Sequence, residues 1–143
     1  MNIYDTLVNA TKNYPDKVAV SAIDNSVSYS VLNNYARSIA SKLLSYGINR
    51  GTRVVLYLED SIDMVAAIYG VNMAGLVFVP VSPQARDLKL QMVVDHSEAE
   101  IIITQRKLLG FVNTLECSKE SNLKHIVILG EESGDEAIET FCT

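Results

Sequence analysis

The sequence of 143 residues has no tryptophan, two cysteines, three prolines and no long apolar run. A bilayer-spanning helix needs roughly 20 consecutive apolar residues, so we expect no membrane span. Cys117 and Cys142 are too few for a disulfide framework or a cysteine metal cluster. Residues 1–5 have neither the basic region nor the apolar core of a secretory signal. These absences favour a reducing, cytoplasmic setting.

A surplus of basic residues is also absent, since the chain carries 12 Lys and Arg against 17 Asp and Glu. Five of the acids lie in residues 131–143, which contain no Lys or Arg. Without these five, acids and bases are equal in number, so the imbalance belongs to the tail. A neutral body with no basic stripe argues against a nucleic-acid partner.

The clearest pattern in the chain is a strand, a helix and a strand between Val54 and Pro83. Residues 54–58 and 77–79 are continuous apolar runs, as in strands covered on both faces. Residues 62–74 are apolar on nearly every side, which predicts a buried helix that begins at Asp60 or Ser61 and ends at Gly75. Pro80 should end the second strand or mark it as an edge strand. The unit predicts two parallel strands with a right-handed crossover.

The flanking segments continue the alternation of helices and strands. Residues 3–14 predict a first helix, residues 17–20 and 27–29 a β-hairpin, and residues 30–47 an amphipathic helix capped by Ser30. Further on, the patterns predict helices at 86–96 and 107–115 and buried strands at 101–103 and 125–129. The predicted fold class is α/β: a doubly wound, mostly parallel sheet with helices on both faces, preceded by a small β-hairpin.

The residues alone indicate no active site. Neither G-x-G-x-x-G nor G-x-x-x-x-G-K-[ST] occurs, and the seven glycines are scattered, most of them as caps or loop residues. His96 and His125 have no acid at a recognisable spacing, and no base stands beside Cys117 or Cys142. Asp60 and Asp63 suit a helix start. The predicted sets of catalytic, cofactor-binding and metal-binding residues are therefore empty. We expect five of the seven tyrosines to pack: Tyr29, Tyr35, Tyr46, Tyr57 and Tyr69.

Four segments nevertheless resemble motifs of one family in order and spacing. Residues 27–33, leading into the helix, resemble the first core motif of the adenylate-forming enzymes, and residues 72–83 resemble the second. Residues 14–19 and 95–104 also match the family's order. These enzymes include acyl-CoA synthetases, adenylation domains of nonribosomal peptide synthetases, and luciferases. The sequence departs from the pattern at Val31, where an acid is usual, and at Asn72, where Lys is common.

The resemblance implies that residues 1–130 are the N-terminal subdomain of a ligase and residues 131–143 an acidic tail or linker. The family's phosphate loop, nucleotide motifs and catalytic lysine lie downstream of this region. ATP and Mg²⁺ would serve the full-length enzyme, and we expect neither to bind this chain tightly. Expected partners are the rest of the ligase, a carboxylate substrate, and coenzyme A or a carrier protein. The resemblance also allows a dimer through an exposed docking face.

Two alternatives remain beside the ligase. A truncated, non-catalytic relative could act as an interaction module with a partner chain. A fragment of a ligase should expose an apolar face where the next subdomain docks, whereas in a module that stands alone the same face should be polar. An unrelated nucleotide-binding α/β domain is the third reading, and the missing glycine loop argues against it.

Overall fold

The computed structural model describes residues 2–115, 122–130 and 138–140. Helices and strands alternate along most of this length. In chain order the elements are α1 (Ile3–Asn13), β1 (Val18–Ser21), β2 (Ser26–Ser28), α2 (Tyr29–Leu44), β3 (Arg53–Tyr57), α3 (Ile62–Met73), β4 (Val77–Val81), α4 (Asp87–Ser97), β5 (Ile101–Gln105), a 3₁₀ turn (Arg106–Leu108), α5 (Leu109–Val112), β6 (His125–Leu129) and β7 (Ile138–Thr140).

The chain divides into two compact units. The first comprises Met1–Gly51 and Asp60–Val77 and contains the three helices α1 to α3 with the antiparallel hairpin of β1 and β2. Within it α2 lies against α3, and α1 contacts both. Gly70 permits this close packing, because a Cβ at that position would lie 2.8 Å from Cβ of Ile39.

The second unit comprises Thr52–Glu59 and Phe78–Thr143 and contains the five-stranded sheet, in the order β4-β3-β5-β6-β7. β3 pairs in parallel with β5, and β5 in parallel with β6. β7 pairs antiparallel with β6, so residues 138–140 of the acidic segment extend the sheet. The α/β class, the mostly parallel sheet and the small hairpin are confirmed.

The core of this second unit forms on one face of the sheet. Alternate residues of the central strands, such as Val55, Ile102 and Ile126, pack with Leu90 of α4 and Val112 of α5. The intervening residues of these strands are buried as well. This explains why the strands read as continuous apolar runs rather than as alternating patterns.

Two local predictions were wrong. Ser28, not Ser30, caps α2: its side-chain oxygen accepts a hydrogen bond from the backbone N–H of Val31 at 3.2 Å. Ser30 already lies inside the helix, and its N–H donates to the carbonyl of Pro15. The helix predicted at 107–115 is instead a 3₁₀ turn followed by the four-residue α5. Thr114 is one reason, because its hydroxyl bonds back to the Phe111 carbonyl in place of helix continuation.

Other boundaries agree with the sequence pattern. Ser61, one of two candidates, caps α3 by accepting from the N–H of Met64. Gly75 follows that helix with a φ of +77°, the left-handed conformation predicted for a helix stop. Pro80 lies within β4 and is exposed, and β4 is an edge strand, where a missing N–H donor is tolerated.

Candidate functional site

The strand order places a candidate ligand site at the carboxyl edge of the sheet. β4 lies on one side of β3, and the next strand in sequence, β5, lies on the other. The strand order therefore reverses between β3 and β5. In open α/β sheets, ligands bind outside the carboxyl ends of strands at such a reversal. The residues that follow Tyr57 and Gln105 occupy this position.

Protein groups already connect the ends of these two strands. The Thr104 hydroxyl donates to the carbonyl of Tyr57 at 2.8 Å, and the backbone N–H of Glu59 donates to Oε1 of Gln105 at 3.0 Å. Farther out, Lys107 forms an ion pair with Glu59. Both of these side chains are about half exposed, so the ion pair contributes little to stability. The backbone contacts rather than the charges fix the geometry here.

A second set of contacts holds the loop that follows β4. The buried hydroxyl of Tyr57 donates to the carbonyl of Ala85 at 2.5 Å and accepts from Nη1 of Arg86 at 2.7 Å. The same nitrogen reaches the carbonyls of Pro83 and Ala85 at 2.5 and 3.0 Å. The guanidinium carbon stacks 3.7 Å from the ring centroid of Phe111. We call Tyr57, Arg86 and Phe111 the loop clamp.

Burial sets the protonation state of the loop clamp. It raises the pKa of Tyr57 above 10.0, and the nearby Arg86 charge and hydrogen bond only partly oppose this. The hydroxyl therefore keeps its proton at neutral pH and donates it to the Ala85 carbonyl. Arg86 supplies a charge-assisted hydrogen bond, which is stronger than a neutral one. The loop is thus held by a neutral phenol and a permanent cation.

The described cations at this edge already contact other protein groups. Phosphate binding would require free cations or a row of open backbone N–H groups. Among the described edge residues, Arg86 is engaged in the loop clamp and Lys107 in its ion pair, and Arg106 also has a partner. The described loops that follow β3 and β4 contain no glycine. These described residues support a loop rather than a glycine-rich phosphate site.

The two histidines lie apart from the carboxyl edge. His96 is exposed in the last turn of α4. His125 begins β6 at the opposite, amino end, where its backbone N–H donates to the Glu100 carbonyl at 3.1 Å. Burial lowers the pKa of His125 below 6.5, and the charge of Lys124 adds to this while that of Glu100 opposes it.

The acids and tyrosines singled out in the sequence have packing or bracing contacts. Asp63 accepts a hydrogen bond from the Tyr35 hydroxyl at 2.6 Å, which links α3 to α2. Asn72, the departure from the family pattern, accepts from the first-turn N–H of Tyr4 at 3.1 Å and so caps α1. Tyr29, Tyr46 and Tyr69 are half buried. Asp60 is exposed before α3, and Cys117 and Cys142 lie outside the described residues.

The loop clamp was missed by the sequence reasoning. The sequence predicts only packing for Tyr57, a helix start at Arg86 and a helix over residues 107–115, which include Phe111. Tyr57 and Arg86 are 29 positions apart in the sequence, so no local pattern links them. A tyrosine inside an otherwise aliphatic strand was the one available signal, because a buried hydroxyl needs a hydrogen-bond partner.

The described residues contain neither a membrane-spanning helix nor a metal-binding cluster. None of their helices is long and apolar enough to cross a membrane. No group of three or more His, Cys, Asp or Glu side chains among them is placed to hold a metal ion.

The fold and its carboxyl edge define an α/β protein of the kind that binds a ligand beside a parallel sheet. Comparison with known proteins makes this specific: the family model described as AMP-binding enzyme matches residues 7–141. The chain belongs to this family. The resemblance to adenylate-forming enzymes, drawn from four short motifs, is confirmed.

Similar proteins include peptide synthetases and CoA ligases. Syringomycin synthase SyrB1 of Pseudomonas syringae pv. syringae is 30% identical over 113 residues, which are 79% of this chain and 18% of that protein. Surfactin synthase subunit 1 of Bacillus subtilis (strain 168) is 30% identical over 120 residues, 84% of this chain and 3% of that protein. The anthranilate CoA ligase AuaEII, solved with anthranoyl-AMP, has a TM-score of 0.83 at 21% identity and shares the fold over 91% of this chain and 25% of that one.

The coverage figures bear directly on function. The chain spans less than a fifth of the length of SyrB1 and a quarter of AuaEII. The relatives are ligases much longer than this chain, so their whole activity requires domains that these 143 residues do not include.

Proposed function

We propose that this chain is the N-terminal portion of an ATP-dependent, carboxylate-activating ligase. Such an enzyme forms an acyl-adenylate and then an acyl thioester with coenzyme A or a carrier protein. The observation that carries the proposal is the family match over residues 7–141. The similarity to peptide synthetases at 30% identity supports it, and so does the fold shared with AuaEII.

The proposed reaction has two displacements. A carboxylate oxygen attacks the α-phosphorus of ATP, a new oxygen–phosphorus bond forms, and pyrophosphate leaves. A thiol sulfur then attacks the acyl carbon, AMP leaves, and the thiol proton passes to solvent or a base. Mg²⁺ with ATP would neutralise phosphate charge in the first step. The remaining domains of the ligase would supply the groups that hold the nucleotide.

The part that this chain plays is to shape the site rather than to react. In the family the loop after β4 lies on the acyl side of the substrate pocket, and here it corresponds to Ser82–Arg86. The loop clamp fixes that loop through Tyr57, Arg86 and Phe111. Because the family's phosphate loop and nucleotide motifs lie outside these 143 residues, we expect the isolated chain neither to bind ATP tightly nor to form an adenylate.

Two apolar residues of α4 are exposed. Leu88 and Met92 are 72% and 50% exposed and lie one helical turn apart. A portion of a larger enzyme is expected to expose apolar residues where the next subdomain docks. We infer that further ligase sequence covers this pair in the complete enzyme, and that the isolated chain can dimerise through it.

The test is carboxylate-dependent ATP–pyrophosphate exchange, measured for two proteins. The isolated chain should give no exchange. SyrB1 in which these residues replace the aligned region should retain exchange with its own substrate. Exchange from the isolated chain would contradict the claim that it lacks a nucleotide site. A folded chimera without exchange, beside an active parent, would contradict the claim that this chain is a ligase portion.

A matched pair of variants refines the test of the loop. In the chimera, Arg86→Ala should raise the KM for the carboxylate substrate with a smaller effect on the KM for ATP. Lys89→Ala, a charge removed from the exposed side of α4, should change neither constant. Equal effects of Arg86→Ala on both KM values would contradict a role confined to the acyl side.

A further inference from the structure

The first unit contains a cavity that the proposed ligase reaction does not use. Its volume is about 480 Å³, and it lies among the helices α1, α2 and α3. Small-molecule sites commonly occupy roughly 300–1,000 Å³ and combine apolar walls with a few polar groups. The volume of this cavity lies within that range, and the cavity is open to solvent.

The walls of the cavity are apolar and come from three helices. Val8 of α1, Leu44 of α2 and Met73 of α3 contribute to its lining. Val8 and Leu44 are large apolar residues that remain 42% and 57% exposed. An apolar molecule seated between them would remove this surface from water, which is the main favourable term in such binding.

One side of the cavity is polar in a regular way. Asn33, Arg37 and Ser41 follow each other at intervals of four residues, so they form a single stripe along α2. Within the described part of the chain, the Arg37 guanidinium has no ion pair or hydrogen bond. The buried Oδ1 of Asn33 likewise has no partner there.

We propose that this cavity binds a small apolar molecule that carries one carboxylate. Arg37 would pair with the carboxylate, since a guanidinium presents two parallel N–H donors to such a group. The apolar part of the ligand would lie along Val8, Leu44 and Met73.

Octanoate is a suitable probe, and octan-1-ol is its neutral counterpart of equal chain length. Titration of the isotope-labelled protein, followed by amide NMR below the micelle concentration, should shift the signals of residues lining the cavity. Octanoate should bind about tenfold more tightly than octan-1-ol, a difference of about 1.4 kcal/mol, because charge-assisted hydrogen bonds are stronger than neutral ones.

Three variants separate charge from shape. Arg37→Leu should reduce octanoate affinity to that of octan-1-ol. Leu44→Ala should weaken both ligands, because it removes apolar wall. Lys12→Leu removes a cation from α1 outside the cavity and should change neither affinity. Arg37 and Leu44 are exposed enough that both variants should fold, which the dispersion of the NMR signals reports directly.

The following outcomes would overturn the proposal. Equal binding of octanoate and octan-1-ol would remove the role of Arg37, and shifts confined to other residues would remove the site. Concentration-dependent broadening of the lining residues in the absence of ligand would assign the cavity to a second copy of the chain instead.

Discussion

The hydroxyl of Tyr57 accepts a hydrogen bond of 2.7 Å from the guanidinium of Arg86, 29 positions later in the chain. This contact ties the end of a central strand to the loop that leaves the edge strand. The same hydroxyl donates to Ala85, so one buried oxygen both donates to and accepts from the loop. Loss of that oxygen should therefore weaken the attachment of the loop rather than the pairing of the strands.

Tyr57→Phe should lower the free energy of unfolding by about 1–3 kcal/mol, because it removes two hydrogen bonds of a buried hydroxyl, one to the Ala85 carbonyl and one from Arg86. Urea denaturation measures the change. Tyr69→Phe is the control: Tyr69 is half buried and its hydroxyl forms no hydrogen bond among the described residues. Equal losses for the two variants would show that the Tyr57 hydroxyl has no special role.

Gly70→Ala should destabilise the protein by about 1–3 kcal/mol, the usual cost of overpacking. The added Cβ would meet Cβ and Cγ2 of Ile39 at 2.8 Å and the Ala36 carbonyl oxygen at 2.9 Å. Gly110→Ala is the matched control, since nothing lies within 4 Å of the Cβ it would add. In thermal unfolding, Gly70→Ala should have a lower melting temperature than the wild type. Gly110→Ala should have an equal or higher one, because alanine stabilises a helix relative to glycine. A Gly70→Ala variant as stable as wild type would contradict the close approach of α2 and α3.

The two serines at the start of α2 offer a direct comparison. Ser28→Ala should cost about 1 kcal/mol, the typical value for loss of an N-cap hydrogen bond. Ser30→Ala should cost little, because no hydrogen bond of the Ser30 side chain is formed with the described residues. Helix content by circular dichroism and stability in urea measure both. A larger loss of stability in Ser30→Ala than in Ser28→Ala would support Ser30, the residue predicted from the sequence, as the cap.

Stability should fall as the pH drops through the range just below 6.5. The pKa of His125 is lower in the folded chain than the ordinary value of 6.5, so the unfolded chain takes up a proton first. The contribution of neutral His125 is thus complete above 6.5 and is lost as the pH falls toward the folded pKa. His125→Gln should flatten this part of the stability curve, whereas His96→Gln should retain it. An unchanged curve in His125→Gln would exclude His125 as its source.

Local sequence patterns predicted most elements because burial on both faces leaves an unmistakable apolar run, as in residues 54–58 and 125–129. The order of the strands was not predictable, since pairing such as that of Val54 with Ile101 is set by contacts between distant segments. The cap at Ser28 shows the same limit on a small scale. Two nearby serines are equally suitable by type, and the bond from the N–H of Ser30 to Pro15 decides between them.

The candidate site was less predictable than the fold. Family motifs identified the class of enzyme, yet the residues that hold the loop after β4 have no shared spacing. The sequence around Arg86 does not indicate that its guanidinium donates hydrogen bonds to Tyr57 and to two backbone carbonyls. Residues 138–140, predicted as part of an acidic tail, pair with β6, because an open sheet edge supplies backbone hydrogen-bond partners.

The central claim, that this chain is the front of a carboxylate-activating ligase, is tested most directly by reading the coding DNA beyond the codon for Thr143. We expect the reading frame to continue, within several dozen codons, into a run rich in Ser, Thr and Gly that ends in Pro-Lys-Gly. A stop codon directly after Thr143 would contradict a ligase made from this polypeptide, and would favour a module completed by a partner chain.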